Sequence, residues 1–285
     1  MNALPDRRLN AFRPDLAEKA LEGTVAAERY VTGLPARIAA PVADLRPRPD
    51  EGAGIDTQLL FGEGVHVLDR ADGWAWVKAD FDGYVGYLPE AALAAPGAPA
   101  THVVAVPRSF AYTGADLRTP APFALSIGSR LTVVGESETR GTRYFTLAGG
   151  QSVIAGHCLP VGETMGEDYV AIAGRFLETP YLWGGRSGFG LDCSALVQLS
   201  MMMAGRSAPR DSDMQAAGLG TPIAGEQLRR GDLVFWKGHV AIMEDETTIL
   251  HANGHTMSVA REPLAAAIER TGYLYQQPTG YRRPV

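Results

Sequence analysis

The sequence contains little of what marks a disulfide-stabilised or membrane-bound protein. Its 285 residues include only two cysteines, Cys158 and Cys193, so no disulfide framework is expected. No apolar run approaches the length of a transmembrane helix, and residues 1–22 lack an apolar core of signal-peptide length. These absences predict a cytoplasmic protein with no membrane contact. Cys158 has no catalytic surroundings in the sequence and is expected to be a packing residue.

Positive charge is also scarce. The chain has 26 Lys and Arg against 32 Asp and Glu, a net charge of −6, and no block of basic residues. This balance argues against a nucleic-acid-binding surface and against electrostatic adhesion to anionic membranes. The Cys and His residues lack the paired spacing of zinc ligands, so neither a metal nor another cofactor is expected. No obligatory protein partner is evident.

Composition and spacing divide the chain into four segments. Residues 1–35 predict an N-terminal helical segment, because their apolar residues would share one helix face. Residues 36–95 and 100–162 contain short alternating stretches broken by Gly, Pro and Asp, which predict two small all-β barrels. Residues 165–285 mix helical and strand patterns and predict an α+β domain, with its last strand near Tyr273.

The second barrel segment resembles a degenerate copy of the first. The word Ala-Asp-Leu-Arg at residues 43–46 recurs at residues 115–118, an offset of 72. Leu88-Pro89 recurs as Leu159-Pro160, an offset of 71. The matching order and spacing predict an internal duplication.

The most informative stretch is residues 181–197, which read YLWGGRSGFGLDCSALV. A glycine-rich loop leads directly to Cys193, and an apolar, helix-compatible run at residues 195–204 follows. A cysteine at a helix N-terminus lies where unpaired backbone N–H groups and the helix dipole favour a thiolate. The thiolate attacks carbonyl carbons, so the pattern indicates nucleophilic catalysis. Trp183 in this loop is expected to pack and support it.

A cysteine nucleophile requires a nearby base and a third polar group that orients the base. His239 begins an apolar predicted strand, and His251 lies near the end of the next one. Two neighbouring antiparallel strands can bring these rings together. Asn253 and His255 are rivals for the third position, but they fall at or beyond an apparent turn, so His251 is preferred.

Five short words in this region resemble those of the NlpC-type cysteine peptidases of bacterial cell-wall metabolism. The resemblance covers residues 169–281 and implies a papain-like fold. It implies that Cys193 is the nucleophile, His239 the general base and later acid, and His251 the orienting residue. It also places Tyr181 beside the oxyanion. The words are Tyr181-x-Trp183-Gly184-Gly185, Asp192-Cys193-Ser194, Gly231-Asp232-Leu233-Val234-Phe235, Gly238-His239-Val240 and His251-Ala252.

The whole arrangement is similar to a narrower group, the γ-D-glutamyl-L-diamino acid endopeptidases of muropeptide recycling. That resemblance implies a multidomain chain in which two small all-β SH3-like barrels precede an α+β papain-like cysteine peptidase domain. It implies cleavage of peptidoglycan stem peptides such as L-Ala-γ-D-Glu-diaminopimelate, with a free N-terminal L-Ala. Whether the diamino acid is diaminopimelate or lysine stays open.

The same resemblance indicates which residues contact the substrate. Asp211 would bind the free amine and Ser212 would help to hold the peptide, since a buried cation must be paired with a carboxylate. Glu63 and Tyr84 of the first barrel would close the pocket. Both Asp211 and Ser212 are equally suited to capping the next helix.

Two residues beside the cysteine are further candidates for substrate contact. Asp192 and Ser194 flank Cys193, although Asp192 could instead cap the helix that follows. Two other functions remain open on the sequence alone. One is a papain-like amidase or acyltransferase that acts on another substrate, and the other is a non-catalytic protein that binds cell-wall fragments.

Overall fold

The structure is a computed structural model that describes residues 4–275 and 277–284, with side chains described throughout except at residues 273–275. Contacts divide the chain into two compact units, residues 1–161 (unit 1) and residues 162–285 (unit 2). In the described residues, unit 1 consists of strands and short 3-10 helices, whereas all four α-helices lie in unit 2.

The N-terminal segment of unit 1 is not α-helical. Strand β1 (Leu16–Glu18) pairs in parallel with β2 (Arg29–Val31), and residues 4–35 contain one 3-10 helix, at Lys19–Leu21, and no α-helix. Leu16 and Ala17 are consecutive and buried, yet they belong to two different apolar clusters. Consecutive side chains that point to opposite sides in this way are typical of a strand. The predicted helical segment is therefore wrong, because its apolar residues do not share one face.

The first barrel segment has the all-β character that its sequence predicts. A five-stranded sheet in the order β8-β7-β6-β3-β9 and the hairpin β4-β5 enclose one apolar core. Core residues include Leu45, Val65, Val77 and Leu88, all fully or almost fully buried. Its elements are β3 (Leu34–Ile38), β4 (Val42–Leu45), β5 (Thr57–Leu60), β6 (Gly64–Ala71), β7 (Trp74–Ala79), β8 (Val85–Pro89), a 3-10 helix (Glu90–Ala92) and β9 (Leu93–Ala94).

The second barrel segment has a similar order of elements, with two strands, β13 and β14, in the place of β6. Its last strand follows a 3-10 helix and pairs with its first strand, as β9 pairs with β3 in the first segment. Cys158 packs against the apolar core of this segment, which confirms the predicted packing role. The elements are β10 (His102–Val104), β11 (Arg108–Ala111), β12 (Phe123–Ser126), β13 (Arg130–Leu131), β14 (Val133–Thr139), β15 (Thr142–Leu147), β16 (Ser152–Ile154), a 3-10 helix (Ala155–His157) and β17 (Cys158–Pro160).

Unit 2 is built on a six-stranded antiparallel sheet in the order β20-β25-β21-β22-β23-β24. Helix α2 packs against β22 and β23, and helix α4 packs its Ala267 against apolar residues of β21, β22 and β23. The elements are α1 (Tyr169–Gly174), β18 (Arg186–Ser187), β19 (Gly190–Leu191), α2 (Cys193–Met203), α3 (Ser212–Gly218), β20 (Thr221–Ile223), a 3-10 helix (Gly225–Gln227), β21 (Leu233–Trp236), β22 (His239–Met243), β23 (Thr248–Asn253), β24 (Ser258–Pro263), α4 (Leu264–Tyr275) and β25 (Gly280–Arg283).

The last strand lies later in the chain than the sequence predicts. Tyr273 belongs to α4, and β25 (Gly280–Arg283) is the strand that follows it. Arg283 explains this position, because its Nε and Nη2 donate to the two carboxylate oxygens of Asp232 at 2.7 and 2.8 Å. Asp232 is fully buried, so this bidentate pair ties β25 to the start of β21.

Among the described residues, no helix has both the length and the apolar character needed to cross a membrane.

Candidate active site

The glycine-rich loop is a packed hairpin that leads the chain into α2. Strands β18 and β19 pair with each other, and the backbone N–H of Asp192 donates to the carbonyl oxygen of Gly185 at 3.1 Å. A Cβ added at Gly185 would lie 2.7 Å from the carbonyl oxygen of Gly190, so no side chain fits there. This close approach of two backbones fixes Cys193 as the first residue of α2.

A buried polar cluster surrounds the start of α2. Asp192 caps the helix, since its Oδ1 accepts from the backbone N–H of Ala195 at 2.8 Å. Arg210, which is 1% exposed, donates to Asp192 Oδ1 and Oδ2 at 3.0 and 2.6 Å and to Ser194 Oγ at 3.0 Å. The Ser194 hydroxyl donates to Asp192 Oδ1 at 3.2 Å. The cap is confirmed. The polar atoms of Asp192 and Ser194 are engaged inside the fold, and the contact of these residues with substrate stays a prediction.

The Cys193 thiol is neutral in this environment. Its side chain is buried, and burial followed by the neighbouring Asp192 carboxylate raises the pKa of the thiol to about 12. The backbone N–H groups of Val240 and Ser194 and the guanidinium of Arg210 favour the thiolate but do not outweigh these two causes. The surroundings of Cys193 therefore oppose the thiolate that the helix start alone would favour. Ionisation has to be coupled to proton transfer.

The two histidines meet as the sequence predicts. Strands β22 and β23 pair with Ile242 opposite Leu250, so His239 and His251 project from the same face of the sheet. Nε2 of His239 lies 2.9 Å from Nδ1 of His251. The Nδ1 atom of His239 is thus the ring nitrogen left for another partner.

Cys193 lies beside this pair. The backbone N–H of Val240, the residue after His239, lies close enough to the Cys193 sulfur to lower the pKa of the thiol, against the larger effect of burial. In the described residues the sulfur and the His239 ring are not hydrogen-bonded to each other. Contacts between a nucleophile and its base are commonly long in unliganded enzymes and shorten when substrate binds.

His239 is a neutral imidazole. Burial, and then the neighbouring imidazole of His251, lower the pKa of His239 to about 3. The Trp236 ring contributes to this burial, since its centroid lies 5.7 Å from that of His239 and its side chain is almost fully covered. A neutral ring next to a neutral thiol is the protonation state that a general base requires.

Glu262 and Arg270 belong to the same constellation, and the sequence analysis missed both. Glu262 Oε1 lies 2.8 Å from His251 Nε2, although it is out of line with the ring N–H direction, so the contact is chiefly electrostatic. Arg270 of α4 forms an ion pair with the same carboxylate oxygen. No sequence signal could have found this pair, because it depends on which strands are neighbours and in what register.

The rivals of His251 have other roles. Asn253 Oδ1 accepts from the backbone N–H groups of His255 and Thr256, both at 2.9 Å, and so shapes the turn after β23. His255 is exposed. His251 is buried against His239, which favours it as the third residue of the site.

Tyr181 lies on the approach to the cysteine. It is half-buried and forms a parallel bridge with Leu191, two residues before Cys193. Trp183 in the same loop is 70% exposed, so its expected packing role is wrong. Together with the exposed side chains of Leu182 and Phe189, Trp183 forms an apolar surface on the loop that precedes the nucleophile.

Asp211 and Ser212 begin helix α3 and are held near the cysteine. Asp211 occupies the N-cap position, but its carboxylate accepts no capping hydrogen bond from the α3 backbone, which lies wholly within the described residues. Gln215 of α3 donates from Nε2 to the carbonyl oxygen of Ser194 at 3.0 Å. This bond ties the start of α3 to the residue that follows Cys193.

Glu63 and Tyr84 are both buried in unit 1. Glu63 Oε2 accepts from the backbone N–H of Leu60 at 2.8 Å, which closes the turn before β6. Tyr84 belongs to the apolar core of the first barrel segment. Their contact with substrate stays a prediction.

A buried cysteine at a helix start, beside a neutral histidine that is bonded to a second histidine, defines the site of a thiol-dependent hydrolase. Comparison with known proteins specifies the class further. Residues 178–275 match the NlpC/P60 family, and residues 45–93 match the bacterial dipeptidyl-peptidase SH3 domain. Residues 178–275 therefore form a domain of the NlpC/P60 family of cysteine peptidases, preceded by a match to a bacterial SH3 domain.

Curated relatives and one solved structure cover more of the chain. It is 32% identical over 195 residues to the γ-D-glutamyl-L-lysine dipeptidyl-peptidase of Bacillus subtilis, a match that covers 64% of each protein. It is 26% identical over 269 residues to dipeptidyl-peptidase 6 of Lysinibacillus sphaericus, covering 84% of this chain and 98% of that protein. The crystal structure of an NlpC/P60 family protein from Bacillus cereus has the same fold, with a TM-score of 0.73 and 24% identity over 88% of this chain and 99% of that one.

Proposed function

We propose that this chain hydrolyses the bond between γ-D-glutamate and an L-diamino acid in peptidoglycan stem peptides. The observation that carries the proposal is the 2.9 Å contact between His239 and His251 beside Cys193, because it assembles a nucleophile, a base and an orienting group. The substrate class is supported by similarity to two relatives named γ-D-glutamyl-L-lysine dipeptidyl-peptidase, one from Bacillus subtilis and one from Bacillus cereus.

In the proposed acylation step, His239 accepts the thiol proton at Nδ1 while the Cys193 sulfur bonds to the γ-carbonyl carbon of D-glutamate. The oxyanion is stabilised by the backbone N–H of Cys193 at the helix start and by the Tyr181 hydroxyl. His239 then gives its proton to the leaving amine as the C–N bond breaks. Water hydrolyses the resulting thioester, and its proton returns through His239 to the sulfur.

We propose that Asp211 binds a free N-terminal amine of the substrate and that Ser212 helps to hold the peptide. The support is positional: Arg210 contacts Asp192 and Ser194 on both sides of Cys193, so the next residue in the chain lies close to the nucleophile. A carboxylate in a half-buried position is a suitable partner for an ammonium group.

Mass spectrometry of two substrates tests the proposed function. The purified protein is incubated with L-Ala-γ-D-Glu-meso-diaminopimelate and with the same peptide carrying N-acetylmuramic acid on its N-terminus. We expect release of L-Ala-D-Glu from the free peptide alone. Cleavage of both peptides would retain the peptidase and reject the amine site. Cleavage of neither would favour the amidase, acyltransferase or binding-protein alternatives.

Neutralising Asp211 should weaken recognition of the amine. The Asp211→Asn variant is expected to lose about 10- to 100-fold in kcat/KM, since a hydrogen bond to a charged group contributes about 1.5–3 kcal/mol. The loss should be absent for an analogue whose α-amine is replaced by hydrogen. Glu226→Gln, which removes an exposed carboxylate of the same unit, is the control and should behave as wild type. Equal losses on both peptides would refute the assignment.

We also infer that the second barrel segment is a second SH3-like barrel. Its elements follow an order similar to that of the first segment, including the 3-10 helix before the closing strand. An experimental structure in which these strands do not superpose in sequence order would reject the inference.

A role in muropeptide recycling in the cytoplasm is part of the proposal, and accumulation of the free tripeptide in the cytoplasm of cells lacking this protein would support it. Normal levels would argue against it.

A further inference from the structure

We propose that Glu262, held by Arg270, is a positioning residue that sets the proton arrangement of both active-site histidines. The inference rests on the proposed roles of Cys193 and His239 and assigns a function to two residues outside the expected catalytic set. It starts from two successive contacts, the first from His239 to His251 and the second from His251 to Glu262. His239 Nε2 lies 2.9 Å from His251 Nδ1, and His251 Nε2 lies 2.8 Å from Glu262 Oε1.

The sheet itself creates this series. His251 pairs with Ala260 across β23 and β24, and Glu262 is two residues further along β24, so it shares the face of His251. Arg270 reaches the same carboxylate oxygen from α4, the helix that follows β24 directly. His251 is 2% exposed, so bulk water does not replace these contacts.

The carboxylate determines which ring nitrogens carry protons. An ionised carboxylate only accepts hydrogen bonds, and two lone pairs 2.8 Å apart would repel each other, so His251 Nε2 carries a proton. With its one proton at Nε2, the His251 ring presents a lone pair at Nδ1, and His239 must donate to it from Nε2. Neutral His239 is left with its lone pair at Nδ1. That nitrogen is the one that accepts the thiol proton of Cys193 in the proposed reaction.

Without Glu262 the opposite arrangement becomes available. His251 could hold its proton at Nδ1 and donate it to His239 Nε2. His239 would then carry its own proton at Nδ1 and could not act as the base for Cys193. Glu262 therefore determines which ring nitrogens carry protons, and it acts through His251 rather than on the substrate.

Arg270 keeps Glu262 ionised and balances its charge. The contact with His251 first, and then the ion pair with Arg270, lower the pKa of Glu262 to about 2. The charged and titratable groups that face the histidines are Glu262 from β24, Arg270 from α4 and Cys193 from α2, with Asp192 and Arg210 paired behind the cysteine. Since Glu262 and Arg270 together are neutral, the field that they exert on His239 is small.

Kinetics of the Glu262→Gln variant provide the first test. We expect kcat to fall about 10- to 100-fold with KM changed by less than about 2-fold, because general acid–base catalysis contributes about 10²–10⁴-fold. Glu262→Asp should retain part of the activity. Glu244→Gln is the matched control, since Glu244 pairs with Arg261 of the same sheet region at the same 20% side-chain exposure. Wild-type kcat in Glu262→Gln would overturn the proposal.

The double variant Glu262→Gln/Arg270→Gln distinguishes loss of proton positioning from the effect of an unbalanced charge on Arg270. If Glu262 positions the protons, the double variant stays impaired in kcat. If the loss in the single variant comes only from the unbalanced charge of Arg270, the double variant recovers, and the proposal fails. Thermal denaturation of each variant is measured alongside. A loss of kcat seen only where the Tm has also collapsed would likewise count against positioning.

Two readouts need no substrate and so remain valid even if the proposed function is wrong. Nitrogen-15 NMR of the histidine rings should show His251 protonated at Nε2 and His239 at Nε2 in the wild type, with mixed tautomers in Glu262→Gln. His251→Gln identifies the signals. The rate of Cys193 alkylation by iodoacetamide at neutral pH should fall in parallel with kcat. Unchanged tautomers in Glu262→Gln would overturn the inference, whether or not the tripeptide is a substrate.

Discussion

Replacing Cys193 by alanine is expected to lower kcat/KM by at least about 10⁴-fold, because removing a nucleophile forfeits the covalent pathway. The substitution deletes one sulfur atom from a side chain that is only 6% exposed. The cap made by Asp192 and the contacts of Arg210 do not involve this atom, so α2 should keep its start. Substrate should bind with nearly unchanged affinity, which calorimetry with the uncleaved tripeptide measures.

Cys158 offers a matched control, since it is the other free cysteine of the chain. Cys158→Ala should retain full activity because Cys158 packs against the core of its own barrel segment. Iodoacetamide should inactivate Cys158→Ala as it inactivates the wild type. Activity in Cys193→Ala above about one-thousandth of wild type would exclude Cys193 as the nucleophile, since only binding and oxyanion stabilisation would remain.

The sequence revealed the parts of the site that are local. Cys193 could be placed at a helix start because the loop, the cap and the apolar run are contiguous in the chain. His239 and His251 could be paired because a hairpin joins their strands, and the hairpin β22-β23 brings the rings to 2.9 Å. Glu262 and Arg270 could not be found, since they reach the site through strand register and helix packing.

The protonation state of the cysteine also lay beyond the sequence. A helix N-terminus favours a thiolate, but the burial of Cys193 and the nearby carboxylate of Asp192 have larger and opposite effects. Only the packed structure shows how much of each effect is present. The same holds for the contacts of Asp192 and Ser194 with the buried guanidinium of Arg210, which lies well beyond both residues in the chain.

Strands were predicted well where they are buried on both faces. β21 (Leu233–Trp236) and β22 (His239–Met243) are almost continuous apolar runs in the centre of the sheet, and β22 begins at His239 as predicted. The error at the N-terminus has the opposite cause, because its short strands contain too few residues to show a period. β25 pairs with strands far away in the chain, so its position depends on Arg283 and Asp232 rather than on local pattern.

Removing Arg210 is expected to cause the largest loss of stability in unit 2. In Arg210→Met the Asp192 carboxylate stays buried without its ion pair, and breaking a buried pair in this way costs about 3–5 kcal/mol. The loss should appear first in α2, since Asp192 caps it. Native-state hydrogen exchange of the α2 amides measures this local free energy directly, which matters because two units need not unfold together.

The exposed pair of Arg230 and Asp168 is the control for this prediction. Their side chains are 43% and 51% exposed, so Arg230→Met should cost only about 0–1 kcal/mol. The double variant Asp192→Asn/Arg210→Met also removes the unpaired carboxylate charge, so its comparison with Arg210→Met shows how much of the loss that charge causes. If that charge causes the loss, the double variant exchanges more slowly than Arg210→Met alone, even though it lacks more of the native contacts. Equal exchange in both variants would instead assign the loss to the packing of the Arg210 side chain.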